Sequence, residues 1–75
     1  MDIRKISVGP DYKSGAMHYL IGQSVLNATH SIHLIKHYEE TDSIKIWIED
    51  EDGVVTCWKE FNSNMPISIE YNINF

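Results

Sequence analysis

Residues 43–61, SIKIWIEDEDGVVTCWKEF, decide the fold, because this one stretch predicts two strands, the turn between them and their register. Ile44, Ile46 and Ile48 alternate with polar or aromatic residues, which is the period of a strand buried on one face. Asp52-Gly53 follows, a pair typical of the turn in a β-hairpin. We therefore predict a hairpin whose first strand points its isoleucines into the core.

A two-residue turn fixes the pairing across this hairpin. It places Lys45 opposite Glu60 as an ion pair, and it places Trp47 opposite Trp58 on the face that points away from the isoleucines. Cys57 then falls on the apolar face, where we expect an inert buried thiol. A four-residue loop would slide the pairing by two and keep every side chain on its face, whereas a three-residue loop would turn one strand over.

Three further stretches have the composition of strands: residues 3–8 (IRKISV), 31–38 (SIHLIKHY) and 67–75 (ISIEYNINF). In the second stretch, simple alternation puts Ile32 and Leu34 on one face and Ile35 on the other. Residues 39–42 then form a polar turn that leads into the hairpin.

Residues 16–26, AMHYLIGQSVL, fit either a helix or a strand. Gly22 costs a helix interior about 1 kcal/mol relative to alanine. Tyr19, Ile21 and Val25 are residue types that favour a pleated surface. We favour the strand and keep a short helix within residues 11–26 as the alternative.

Five or six strands joined by short turns predict a mainly β fold. A chain of 75 residues has room for one small core, so residues 1–75 are expected to form a single domain. An antiparallel small barrel or a curled sheet satisfies both conditions. A core of this size supplies about 3–5 kcal/mol of net stability.

The net charge of the chain limits the class of partner that it is expected to bind. The chain carries a net charge of −5, and seven of its eleven acidic residues lie between Glu39 and Asp52. Proteins that bind duplex nucleic acid need a basic face, so we do not expect that partner. A single cysteine cannot form an internal disulfide, and no segment approaches the about 20 apolar residues of a membrane span. We expect a cytoplasmic protein without a membrane partner.

The two tryptophans of the hairpin are the first candidate binding site. Side by side on one face, Trp47 and Trp58 would anchor a partner protein or stack a nucleobase. Lys45, next to Trp47, belongs to the same candidate site. The alternative is that other strands cover this face and make the indoles part of the core.

A small ligand is the second possibility. A nucleotide or cyclic nucleotide would stack on the tryptophans, or on Tyr12 and Tyr19, with its phosphate held by a nearby cation. The candidate cations are Arg4, Lys5 and Lys13.

No metal or cofactor is predicted. His33 and His37 share a face of a strand, but four residues along a strand span about 13 Å, too far for both to bind one ion. The sequence has no phosphate-binding glycine loop and no nucleophile or zinc motif of the common hydrolases.

Three segments together resemble the short accessory proteins of T-even-like bacteriophages: ISVGPDY (6–12), AMHYLIGQSV (16–25) and WKEFNSNMPISIEYNINF (58–75). The resemblance covers most of the chain. It implies a phage product in the bacterial cytoplasm that redirects a host protein or blunts a defence system, generally by binding, and it transfers no site residue. Separately, YLIGQSV (19–25) followed by a meander is similar in rhythm to SH3-like barrels, in which a strand carrying Gly-x-x-Val opens the meander.

These observations rank three functions. The first is a non-enzymatic module that binds a host protein through its aromatic face or an open sheet edge, where a second copy of the chain is also an expected partner. The second is a sponge for a nucleotide or cyclic nucleotide signal. An enzyme ranks last, because so small a barrel has few places to bury a preorganised site.

Overall fold

The computed structural model describes residues 2–9, 15–62 and 65–72, and in these ranges the regular structure is all strand and turn. The predicted β class is confirmed. The strands are β1 (Ile3–Val8), β2 (Met17–Leu20), β3 (Ser24–Val25), β4 (His30–Tyr38), β5 (Ser43–Asp50), β6 (Val55–Asn62) and β7 (Ile67–Tyr71).

The ambiguous segment at residues 16–26 is extended, as we favoured, but it forms two strands with a bend at Gly22. The φ of Gly22 is +89°, a backbone conformation that other residues rarely adopt. Ile21 N donates to Arg4 O in β1, and Gly22 N donates to Ile32 O in β4. The chain therefore leaves one sheet and enters the other at this glycine.

Two antiparallel sheets result. The three-stranded sheet has the order β2-β1-β7, and the four-stranded sheet is a meander with the order β3-β4-β5-β6. Because β2 leads directly into β3, the two sheets follow one another around a strongly curled half-barrel. β6 and β7 are the outer strands of this arrangement.

The core lies between the two sheets. Tyr19 on β2 contacts the inner face of β6, since its ring centroid lies 5.9 Å from that of Trp58 and 5.7 Å from that of Phe61. The buried apolar residues come from both sheets: Ile3, Ile6, Val8 and Tyr19 from one, and Ile32, Ile35, Ile44, Ile46 and Ile48 from the other. The prediction that the three isoleucines of β5 point inward is confirmed.

The predicted register of the hairpin is confirmed at the Lys45 end and is wrong by one residue at the turn end. Lys45 lies opposite Glu60 as predicted, with Nζ 4.0 Å from Oε2. Beyond Ile46 the register shifts by one residue, so Trp47 lies opposite Cys57, and Trp58 is the extra residue of a β-bulge. The prediction that Trp47 faces Trp58 is therefore wrong.

The loop explains the shift. Asp50 N donates to Val54 O, so three residues form the loop instead of two. Gly53 has a φ of +83°, as expected for the left-handed position of such a loop. A three-residue loop alone would turn β6 over, and the extra residue in the bulge restores its faces from Lys59 onward.

A second bulge lies in β4. Ile32 is opposite Ile48 and Leu34 is opposite Trp47, so His33 is an extra residue. The predicted sharing of a face by Ile32 and Leu34 is wrong, because the bulge turns Leu34 outward and Ile35 into the core.

The last predicted strand, residues 67–75, is confirmed over Ile67–Tyr71. Its final residues, 73–75, lie outside the residues that the structure describes, and so do residues 11–14 of the segment 11–26.

Asp50→Ala should destabilise the protein by about 1 kcal/mol. Asp50 Oδ1 accepts hydrogen bonds from Asp52 N and Val54 N, each at 2.9 Å, and so satisfies two backbone donors of the loop. Urea denaturation measures the change. Asp52→Ala, in the same loop and with the same loss of charge, is the control, and an equal loss in both variants would contradict the role of the Asp50 carboxylate.

Candidate binding face on the four-stranded sheet

Trp58 belongs to the core. Its ring meets the ring of Tyr19 edge to face, at an interplanar angle of 80°, and it packs against the buried cluster. Lys59 Nζ lies 4.7 Å from the centroid of the same indole, which places a cation over the part of the ring that the core leaves open. The predicted pair of indoles is thus separated onto the two faces of the sheet.

Trp47 lies on the other face, which we call the outer face and define by Leu34, Lys36, Lys45, Trp47 and Cys57. The buried isoleucines of β5 alternate with Lys45 and Trp47, so these two side chains point away from the core. The buried cluster that the two sheets share lies on the inner face, and Asp2 and Tyr71 line a cleft together with Leu34 and Lys36. Leu34, Lys36 and Cys57 on this face are exposed, whereas Lys45 and Trp47 are half-buried.

The apolar centre of the outer face is the row Leu34, Trp47 and Cys57, three residues directly opposite one another on β4, β5 and β6. Leu34 is 40% exposed, Cys57 is exposed, and Trp47 is half-buried. The prediction of Cys57 as an inert core thiol is wrong, because the bulge at Trp58 moves it to the outer face.

Trp47 has an unusual environment. The bulge residues His33 and Trp58 flank it on the two neighbouring strands. Bulges bend the strands that carry them. Its Nε1 is buried and has no hydrogen-bond partner among the described residues. A buried donor without an acceptor costs about 1–3 kcal/mol.

Two lysines border the apolar row. Lys36 and Lys45 lie directly opposite each other on β4 and β5. Their Nζ atoms lie 5.3 Å and 5.0 Å from the centroid of the Tyr38 ring, so one aromatic ring receives two cations. Glu60 pairs with Lys45, whereas Lys36 has no carboxylate within 4.0 Å among the described residues.

Sequence reasoning included Lys45 in the site and missed Lys36 and Tyr38. A signal was present, because the predicted four-residue turn at 39–42 places Tyr38 opposite Ser43 and hence Lys36 opposite Lys45, as observed. Counting strand pairs outward from the turn at residues 39–42 predicts both residues at this site.

The other border of the row is acidic. Glu49 Oε2 lies 3.0 Å from His33 Nδ1, and both side chains are partly exposed. The outer face therefore has lysines on one side of Trp47 and a carboxylate, paired with an imidazole, on the other. Such an arrangement gives a partner a defined orientation.

The residues predicted to hold a nucleotide are not brought together. Tyr19 is buried in the core, and burial raises the pKa of its phenol above the ordinary value. Lys5 pairs with Glu70 across β1 and β7, with Nζ 3.7 Å from Oε2, and Arg4 is exposed on the same sheet. Tyr12 and Lys13 lie outside the described residues.

Two clefts adjoin the outer face. One, of about 460 Å³, lies at the turn between β4 and β5 and includes Tyr38, Glu39, Glu40 and Lys45 among its lining residues. The other, of about 440 Å³, lies where Asp2 and Tyr71 approach β4. Both are open surface depressions with acidic residues at their rims.

Within residues 2–9, 15–62 and 65–72, no three His, Cys, Asp or Glu side chains are placed to hold one metal ion. None of the described segments is a helix of the length and apolar character needed to cross a membrane. Comparison of the chain with protein-family models, with curated proteins and with solved structures found no match.

Proposed function

We propose that this protein is a non-enzymatic binding module that captures another protein through the outer face of its four-stranded sheet. The observation that carries the proposal is the position of Trp47, half-buried at the centre of the outer face, with a donor that lacks an acceptor among the described residues. Tryptophan is enriched at the energetic centres of protein interfaces. A partner that reorders this side chain and supplies an acceptor recovers the missing hydrogen bond.

The sheet edges support the face as the docking surface. The edge of β6 carries a bulge at Trp58 and a lysine at Lys59, two features that hinder the addition of another strand. β7, at the opposite edge, has only five residues. Strand addition at these two edges, and self-association by that route, is therefore less favourable than docking on the outer face.

The resemblance to accessory proteins of T-even-like phages supplies the biological setting of the proposal. In that setting the partner is a bacterial host protein, the place is the host cytoplasm, and the effect is to redirect or inhibit that protein, as in host takeover or anti-defence. The acidic net charge of −5 also favours a protein partner over nucleic acid.

Binding fits the described residues better than catalysis does. Ser7 Oγ lies 2.8 Å from His18 Nδ1, the one described pairing of a hydroxyl nucleophile type with a base type across two strands. Ser7 is 8% exposed at the centre of its sheet, where a substrate carbonyl has little access to the hydroxyl. The contact ties β1 to β2.

Trp47→Ala should weaken partner capture at least about tenfold and leave the protein folded, because truncating an interface tryptophan commonly costs more than 1.4 kcal/mol of binding. The measurement is capture from bacterial lysate on immobilised protein, followed by titration of the captured protein against each variant. Lys5→Ala, on the outer side of the three-stranded sheet, is the control and should bind as the unmodified chain does. Undiminished affinity of a folded Trp47→Ala variant would refute the proposal.

A further inference from the structure

We propose that the outer face is built for a carboxylate-bearing protein surface, which Lys36 and Lys45 bind beside an apolar contact on Leu34 and Trp47. This inference rests on the proposed function and adds the chemistry of the partner. The charge pattern of Lys36 and Lys45, which we call the lysine row, supports this inference. The acidic residues around the lysine row favour a carboxylate over a phosphate.

The lysine row is unfavourable for the free protein. Lys36 and Lys45 are directly opposite on neighbouring strands, and like charges in that position repel each other. Both ammonium groups are also drawn to one ring, that of Tyr38, so they stay on the same side of the sheet. One carboxylate, Glu60, is 4.0 Å from Lys45, and it leaves the charge of Lys36 unpaired among the described residues. An incoming anion at Lys36 therefore removes a repulsion that the free chain carries.

The surroundings favour a carboxylate over a phosphate. Glu39 and Glu40 line the cleft that includes Tyr38 and Lys45, and Glu60 lies against Lys45. These carboxylates repel a doubly charged phosphate more strongly than a singly charged carboxylate, and the net charge of −5 repels polyanions at longer range. A lone carboxylate between the two lysines meets the least repulsion.

The apolar row determines which kind of side chain the partner places next to its carboxylate. Leu34 lies two residues from Lys36 on β4, and Trp47 lies two residues from Lys45 on β5, all on the same face. Residues two apart on a strand are about 7 Å apart, so an acidic side chain and a neighbouring apolar side chain of the partner reach the two rows together. The matching surface is an aspartate or glutamate next to a leucine-like residue.

A charge reversal tests this chemistry. Lys36→Glu should weaken binding of the captured protein at least tenfold and at the same time raise the melting temperature, because it replaces a like-charge pair with an opposite-charge pair facing Lys45. Lys36→Arg keeps the positive charge, so this variant should bind as the unmodified chain does. Arg4→Glu changes the net charge equally on the other sheet and should bind normally. Normal binding by Lys36→Glu would overturn the inference, and so would an equal loss in Arg4→Glu.

A second measurement needs no captured protein. The isotope-labelled chain is titrated with acetylated and amidated Leu-Glu-Glu and, as the matched neutral probe, with Leu-Gln-Gln, up to millimolar concentration. Leu-Glu-Glu should shift the NMR signals of Lys36, Lys45 and the Trp47 indole, and Leu-Gln-Gln should not. Equal shifts with both peptides, or none with either, would overturn the inference, as would a stronger response to a nucleotide monophosphate.

The two proposals fail in distinguishable ways. If Trp47→Ala loses capture while Lys36→Glu and the acidic peptide have no effect, the outer face binds a protein but not through carboxylates. If the lysine variants and the peptide respond and Trp47→Ala binds normally, the lysine row is the binding element and Trp47 is not its anchor.

Discussion

Ile46→Ala should remove about 3–4 kcal/mol of stability, which is most or all of what a domain of this size possesses. Ile46 is completely buried, and it lies directly opposite the buried Ile35 at the centre of the curled sheet. Truncating its side chain removes apolar contacts and leaves a cavity that the surrounding isoleucines fill only in part, because β-branched side chains have few rotamers. The variant is expected to be largely unfolded at 25 °C or to melt close to that temperature.

Urea denaturation followed by circular dichroism measures this loss. The matched control is Leu34→Ala, a comparable truncation on β4, whose side chain is 40% exposed on the outer face. It should cost no more than about 1 kcal/mol. Similar losses in the two variants would mean that the outer face is covered in solution, and the binding proposal would lose its surface.

The sequence predicted the inward isoleucines of β5 because that strand is regular. Ile44, Ile46 and Ile48 keep strict alternation, since both extra residues lie in the neighbouring strands. Lys45 and Glu60 were found opposite each other for the same reason, because that end of the hairpin has no bulge. Regular alternation, turn residues and short loops were sufficient for the fold class.

The candidate site could not be predicted so well, because a bulge changes faces without changing composition. One extra residue at Trp58 exchanged the faces expected for Cys57 and the indole, and one at His33 did the same for Leu34 and Ile35. A local sign was present in both strands. Ile32 and Ile35 are three residues apart, as are Trp58 and Phe61, and both pairs pack on the core. In a regular strand residues three apart face opposite ways, so this spacing indicates an inserted residue.

The two bulges also lie on either side of the candidate site. They flank Trp47 on both sides, and by bending the sheet at this point they wrap the inner face around the core. The irregularities that defeat simple alternation thus lie on both sides of Trp47, and bulges recur beside functional sites.

Trp58→Ala should cost about 3 kcal/mol of stability, whereas Trp47→Ala should cost about 1 kcal/mol or less. Removal of the Trp58 indole uncovers Tyr19 and Phe61, whose rings contact or neighbour it in the core, and it leaves a large gap behind β6. Removal of the Trp47 indole also loses apolar contact, but it eliminates a buried N–H without an acceptor among the described residues, and that gain offsets part of the loss.

Thermal and urea unfolding of both variants distinguish a core indole from a surface indole. Far-ultraviolet circular dichroism is the readout, because it does not depend on the tryptophan fluorescence that each variant loses. Trp58→Phe is the conservative control and should recover most of the loss, because a phenyl ring still packs edge to face against Tyr19. Equal destabilisation by the two alanine substitutions would place both indoles in the core and refute the assignment of opposite faces. We expect a stable Trp47→Ala protein that no longer binds and a strongly destabilised Trp58→Ala protein, because the inserted residue at Trp58 directs one indole to the core and leaves the other on the outer face.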